Sequence, residues 1–264
     1  MSASEGWASV AVVNDSLPPV VEIMRDVSAA DWILTSLRPW DGRIWNFMPD
    51  SFESYARVLH PFEYPRPDGS VDWKTWEEVG SQGQVTISAD VSFEEVIGTD
   101  EYPPTEVGFS YNEGELPGWV CAKLVSLLVP QTSTPERAWF CIWGTELSKG
   151  TPLVAADTPP RVRRQLQAES HREARAIESI AKVRFGGGHD YVLLRGPIAA
   201  ATTLGPFPDY PITARLWWPE DRAWLVYTSS DGHSTYVGGT ETAIRDILGS
   251  DIEAVEVTVD ALIR

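Results

Sequence analysis

The stretch Leu216-Trp-Trp-Pro-Glu-Asp-Arg-Ala-Trp224 is the densest aromatic group in the chain, and the fold turns on how it is read. Pro219-Glu-Asp221 carries turn chemistry between two apolar runs, 213–218 and 222–228, so the segment predicts two strands of a hairpin. Successive side chains on a strand point to opposite faces, so Trp217 and Trp218 diverge, and Trp224 can stack across from one of them. A sheet with one wet face would bury only one of the adjacent pair. Either both faces of the strand are covered, or one indole stays outside as an aromatic surface for a partner or an apolar ligand. Trp and Arg dominate binding hot spots. Trp217, Trp218, Asp221, Arg222 and Trp224, with His233 beyond them, therefore form the candidate partner- or ligand-binding group.

Working outward, Asp231-Gly232 marks a turn before a strand over 234–237. Gly239-Thr240 then opens a helix running to residue 248, and a strand over 252–259 follows. Upstream, Asp190-Tyr-Val-Leu-Leu-Arg195 reads as a strand, and Arg137-Ala-Trp-Phe-Cys-Ile-Trp-Gly144 as a buried one. A short helix is expected over 197–204, a loop over 206–211, and a hinge or tight turn at Gly186-Gly-Gly188. Earlier in the chain the spacing predicts helices over 28–37 (with Ser28 as cap), 52–59, 71–79 and 117–129. Strands are expected over 43–47 and 84–88, and apolar stretches at 10–13 and 20–24. The helix over 52–59 rests on the spacing of Phe52, Tyr55 and Leu59; that over 71–79 places Trp73, Trp76 and Val79 on one side. A longer helix over 161–182 holds or adjoins seven basic residues, from Arg161 to Arg184. It packs on the protein's own acidic surface, sits in solvent, or marks a partner site.

Strands and short helices mix without a regular βαβ repeat. That is the pattern of an α+β protein, with a mixed, mainly antiparallel sheet, short helices packed on it and one long basic helix. Pro152, Pro159 and Pro160 mark a break. They divide the chain into an N-terminal α+β region (1–150), a Pro-rich break with the basic helix (151–184) and a C-terminal α+β region (185–264). The same strands also suit one integrated domain.

With 264 residues, 43% of them hydrophobic and 22% charged, the chain has ordinary globular composition, which excludes a low-complexity protein. Its formal charge of −17 argues against a nucleic-acid binder, because counterion release needs a basic face. It equally disfavours docking on anionic lipid. Between Asp90 and Glu115 stand eight acidic residues and no basic one. No apolar run approaches the roughly 20 residues of a membrane helix, and no secretory signal is visible, so a cytoplasmic location is expected. Cys121 and Cys141 form no Cys-x-x-Cys pair and read as small core residues.

Reaction machinery is hard to find. The Gly-x-x-x-x-Gly-Lys phosphate loop is missing, and Gly186-Gly-Gly188 leads into a strand rather than a helix. Gly108-Phe-Ser-Tyr-Asn112 lacks the second glycine of a nucleophile elbow. His60, His171, His189 and His233 show no metal-ligand spacing. His60 is expected to cap a helix end, His171 to face solvent, and His233 is the best placed of the four for function. Neither a cofactor nor a metal is expected.

Five segments occur in order: Phe52-Glu-Ser-Tyr-Ala-Arg-Val-Leu-His-Pro61, Thr134-Pro-Glu-Arg-Ala-Trp-Phe-Cys-Ile-Trp143, Asp190-Tyr-Val-Leu-Leu-Arg-Gly-Pro197, Leu216-Trp-Trp-Pro-Glu-Asp-Arg-Ala-Trp224 and Thr235-Tyr-Val-Gly-Gly239. Together they resemble an uncharacterised family of acidic, Trp-rich proteins of high-GC Gram-positive bacteria, which has no established activity. The resemblance implies a free-standing cytoplasmic protein and supplies no catalytic residue. The leading expectation is a non-enzymatic, acidic interaction module for a basic protein partner, of the immunity or toxin-neutralising kind. The alternatives are a hydrolase-like enzyme, with His233 working with Asp221 or Asp231 near Trp224, and a small-molecule binder with a Trp-lined pocket near 217–237.

Overall fold

A computed structural model describes residues 20–98, 114–147, 158–185, 190–204 and 212–264. The apolar stretch at 10–13, most of the acidic segment (99–113), the 108–112 segment, Pro152, the 186–189 hinge with His189 and the 206–211 loop lie outside the described residues. In chain order the strands are β1 (Glu22–Ile23), β2 (Ser54–Leu59), β3 (Phe62–Pro65), β4 (Val71–Lys74), β5 (Ala138–Trp143), β6 (Lys182–Arg184), β7 (Asp190–Gly196), β8 (Leu216–Pro219), β9 (Leu225–Thr228), β10 (Ser234–Gly239) and β11 (Ala254–Val257). The α-helices are α1 (Asp31–Leu34), α2 (Trp76–Gly80), α3 (Phe93–Ile97), α4 (Gly118–Leu128), α5 (Pro160–Ser179) and α6 (Glu241–Leu248).

Nine strands form one antiparallel sheet in the order β1-β7-β5-β8-β9-β10-β2-β11, with β6 beside β1 on the outer edge of β7. Strands from both sides of the 151–184 break alternate in it, so the three sequence regions share a single sheet. The protein is α+β. Trp217 and Trp218 explain the architecture: their exposures are both 1%, one on each face. Trp217 joins Phe140, Val226 and Val237 under α4, α6 and the C-terminal end of α5. Trp218 joins Leu216, Tyr227 and Tyr236 under the segment carrying Ile33, Ile44, Phe47 and Met48. Register fixes these partners, because Trp217 lies opposite Phe140 and Trp218 opposite Trp139. The rings of Phe140 and Trp217 stack with centroids 6.4 Å apart, and Trp224 meets Trp217 edge-on at 5.1 Å.

Several expected elements differ. Residues 52–59 hold a strand instead of a helix. β2 runs between β10 and β11 with both faces covered, so its residues from Tyr55 to Leu59 are all buried and no period of two shows in the sequence. His60 therefore follows a strand and caps no helix. Its Nε2 meets Thr235 Oγ1 at 2.9 Å, and its backbone N–H donates to the His233 carbonyl. The expected strand over 43–47 is a 3-10 turn, Ile44–Asn46, because Asn46 Oδ1 accepts the N–H groups of Asp41 and Arg43. The segment 71–79 is half strand (β4) and half helix (α2). Residues 84–88 pair with no strand among those described. Ser28 lies inside a 3-10 turn rather than capping a helix with its side chain.

A satellite layer stands on the edge of this frame. The β3–β4 hairpin, α2 and α3 enclose Leu59, Phe62, Trp76, Val91, Phe93 and Val96. Each short helix starts on a capping box: Thr75 with Glu78, and Ser92 with Glu95. Glu253 adds a second clamp on α2 by accepting from the Glu77 N–H at 2.9 Å. Cys121 and Cys141 are buried and unpaired, and burial pushes both thiols up, Cys121 to about 12.

Candidate functional site

The β9–β10 turn ends the sheet where two clefts open. Gly232 shapes it, since a Cβ there would stand 2.8 Å from Ser229 Oγ and 3.1 Å from the Arg264 carbonyl oxygen. Gly114, at φ +68°, donates its N–H to the Gly232 carbonyl at 2.9 Å. The end of the acidic segment is thus tied to the turn. On one side, a cleft of about 380 Å³ is lined by Ser92, Phe93, Glu94, Asp231, Gly232, His233, Ile263 and Arg264. On the other, a cleft of about 360 Å³ is lined by Trp40, Gly42, Phe47, Tyr227, Ser229, Ser230, Asp231 and Ile263. Asp231 and Ile263 belong to both.

Behind the first cleft lies a buried polar chain. Thr228 Oγ1 meets Thr235 Oγ1 at 2.9 Å, which in turn meets His60 Nε2. Arg57 is fully buried; its Nε donates to Ser234 Oγ (2.8 Å) and its Nη1 to the Val91 carbonyl (2.7 Å). Burial lowers the pKa of this guanidinium from its ordinary value. His233 is 6% exposed and stacks on Phe93 with centroids 3.7 Å apart.

The structure does not bring the expected binding group together. Trp217, Trp218 and Trp224 are core residues, and the indole N–H of Trp224 donates to the Leu128 carbonyl. Of the two readings open for 217–224, the one with both faces of the strand covered holds, and these three rings lie away from the surface. Asp221 and Arg222 remain outside, in the β8–β9 turn. Asp221 accepts from Thr132 Oγ1, Ser133 N–H and Ser133 Oγ, each at 2.7 Å. Burial opposes its charge, but the hydrogen bonds from Ser133 and Thr132 outweigh burial and hold the carboxyl below its usual range. Arg222 takes a left-handed φ of 59° and places its guanidinium carbon 5.4 Å from the Trp32 ring centroid. His233 sits in the β9–β10 turn, at the other end of β9. The four residues of β9 alone span roughly 10 Å at about 3.3 Å each. Asp221 and Trp224 are therefore out of hydrogen-bond reach of His233, and only Asp231 shares a cleft with it.

Three aromatic residues outside the expected group carry the surface signal. Trp40 is 56% exposed, and its ring meets Phe47 at 5.5 Å and 88°. Trp73 of β4 and Trp119 of α4, 39% and 42% exposed, meet edge-on at 6.1 Å. Trp119 lies off the buried stripe of α4 (Val120, Leu124, Leu128), which is the sequence signal that marks it. Elsewhere the chain covers its own rings with cations. Arg38 and Arg43 lie over Trp45, Arg57 over Trp76, Arg195 over Trp139, Arg215 over Trp143 and Lys74 over Tyr64. Among the described residues, no cation stands over Trp40, Trp73 or Trp119.

The basic helix α5 leans on the protein through Glu173, Ala176 and Ile180, while Arg161, Arg164, Arg172, Arg175 and His171 are exposed. Among the described residues no group of three His, Cys, Asp or Glu could hold a metal ion, and no helix is long and apolar enough to cross a membrane. Comparison with known proteins found no matching family model, curated protein or solved structure.

Proposed function

We propose that the protein is a non-enzymatic, acidic interaction module that docks a basic protein partner. The observation that carries this reading is the exposed Trp73–Trp119 pair. Two indoles from separate elements meet in solvent, on a chain of formal charge −17 that shields other rings with its own arginines. Exposed Trp is the side chain most enriched at energetic centres of interfaces. The negative surface steers a cationic partner towards it and speeds the encounter. An immunity or toxin-neutralising role is one that such a module serves, because a negative surface is complementary to a basic toxin.

Affinity capture from native extract at low and high salt, with the chain and with Trp73→Ala/Trp119→Ala, tests the reading. A basic protein should be retained at low salt, released at high salt, and bound at least about tenfold more weakly by the double variant. Equal binding by the double variant, or the lack of any salt-sensitive partner, refutes it.

A further inference from the structure

The second cleft at the β9–β10 turn has the chemistry of a site for a single cationic side chain. Trp40 and Phe47 stand at right angles and form an aromatic corner, and Phe47 is backed by Tyr227, stacked at 4.1 Å and 9°. Phe47 is buried and held by that stack, so Trp40 presents the accessible ring face of the corner. Asp231, exposed, supplies a carboxylate on the rim, and Ser229 and Ser230 line the cleft beside it. A ring face beside a carboxylate attracts an ammonium or guanidinium group, because the ring quadrupole and the charge act in the same direction. The volume, about 360 Å³, exceeds that of one lysine or arginine side chain.

The chain's own cations near this corner are committed elsewhere. Arg38 pairs with Asp50 at 2.6 Å and lies over Trp45. Arg43 donates to the Asp260 carbonyl and lies over the same ring. Arg264 lines the neighbouring cleft instead. We infer that the Trp40–Phe47–Asp231 cleft receives an arginine or lysine side chain of the basic partner. The inference rests on the docking function proposed above and adds the chemistry of the group recognised. Charge complementarity argues for this occupant: a chain of −17 selects cations, and this cleft joins an exposed indole to a free-standing carboxylate.

The test uses the full chain and small probes. N-acetyl-arginine methylamide and N-acetyl-lysine methylamide are titrated while the Trp40 indole N–H resonance is followed, assigned by its loss in Trp40→Phe. N-acetyl-citrulline methylamide, nearly isosteric with arginine but neutral, is the control. The expected result is a saturable shift with the cationic probes and none with citrulline. Asp231→Asn should weaken binding about two- to fivefold, the scale of an exposed charge contact. Both altered side chains are exposed, so the variants should fold; an unchanged melting temperature checks this. Equal shifts with citrulline, no saturable shift, or full binding by Asp231→Asn overturns the inference. These outcomes are separable from failure of the docking reading. A basic partner that still needs Trp73 and Trp119, with no probe binding at Trp40, removes the cleft alone. Probe binding without any such partner removes the docking reading and with it the identity of the occupant.

Discussion

Replacing Trp217 and Trp218 one at a time tests the two-faced sheet directly. Each indole is 1% exposed, but they serve different layers: Trp217 packs on Phe140 and Trp224, and Trp218 meets Trp32 at 6.3 Å. A buried Trp removes about 200 Å² from water, which at about 25 cal/mol per Å² comes to about 5 kcal/mol. Core Trp→Ala replacements cost about 3–5 kcal/mol, cavity included. Both single variants should therefore lose about 4 kcal/mol and melt about 10 °C lower, at about 2–4 °C per kcal/mol for a chain of this size. Urea unfolding followed by far-UV circular dichroism measures the loss, and calorimetry gives the melting shift. If one face of the sheet were wet, one of the two variants would lose only about 0.5 kcal/mol, the usual scale for a surface change. Such an asymmetric result refutes the architecture, because no strand register can bury only one of these adjacent residues and still have both layers closed.

Gly238→Ala should destabilise by about 1–3 kcal/mol through overpacking, since the new Cβ would stand 2.6 Å from Phe52 Cδ2 and 2.8 Å from Met48 Sδ. Met48→Ala should recover part of that loss in a double-mutant cycle read by urea unfolding. Asp221→Asn should cost about 1 kcal/mol at neutral pH by weakening the hold on the 132–134 loop. Because the folded state depresses the Asp221 pKa, its contribution is present above the unfolded value near 3.9 and disappears as pH falls through the lower folded value. The gap between variant and parent in acid unfolding should close over that range. Arg57→Met leaves Ser234 Oγ and the Val91 carbonyl without their buried donor. Hydrogen exchange should show the amides of 89–97 losing protection while those of β5 and β7 keep theirs.

The parts of the fold legible in the sequence are those where local chemistry and tertiary setting agree. The β8–β9 hairpin follows Pro219-Glu-Asp221, α6 follows its Thr240 cap, whose side chain accepts from Ala243 N–H, and α4 follows an apolar stripe ended by Pro130. The helix expected over 52–59 fails because burial on two faces erases the alternation that distinguishes strand from helix. Helices α2 and α3 start on the same capping box, Thr75-Trp-Glu-Glu78 and Ser92-Phe-Glu-Glu95; the first sharpens the helix expected over 71–79, and the second lies inside what reads as acidic loop. The site was less legible than the fold. Asp231 and His233 lay within the region of interest, but Trp40, Phe47 and Tyr227 come from distant segments and meet only through topology. In the Trp-rich 216–224 run, adjacent indoles signal two buried layers as readily as an exposed platform.

Strand β2 has a consequence for synthesis. Its neighbours are β10 and β11, and Arg57 donates to Ser234, 177 residues further along. While the ribosome makes that interval, a strand with two open edges has no native partner on either side. Pairing over such a distance is entropically late and leaves the nascent chain exposed to aggregation. The order in which the strands are made therefore keeps both edges of β2 unpaired until β10 and β11 have been synthesised.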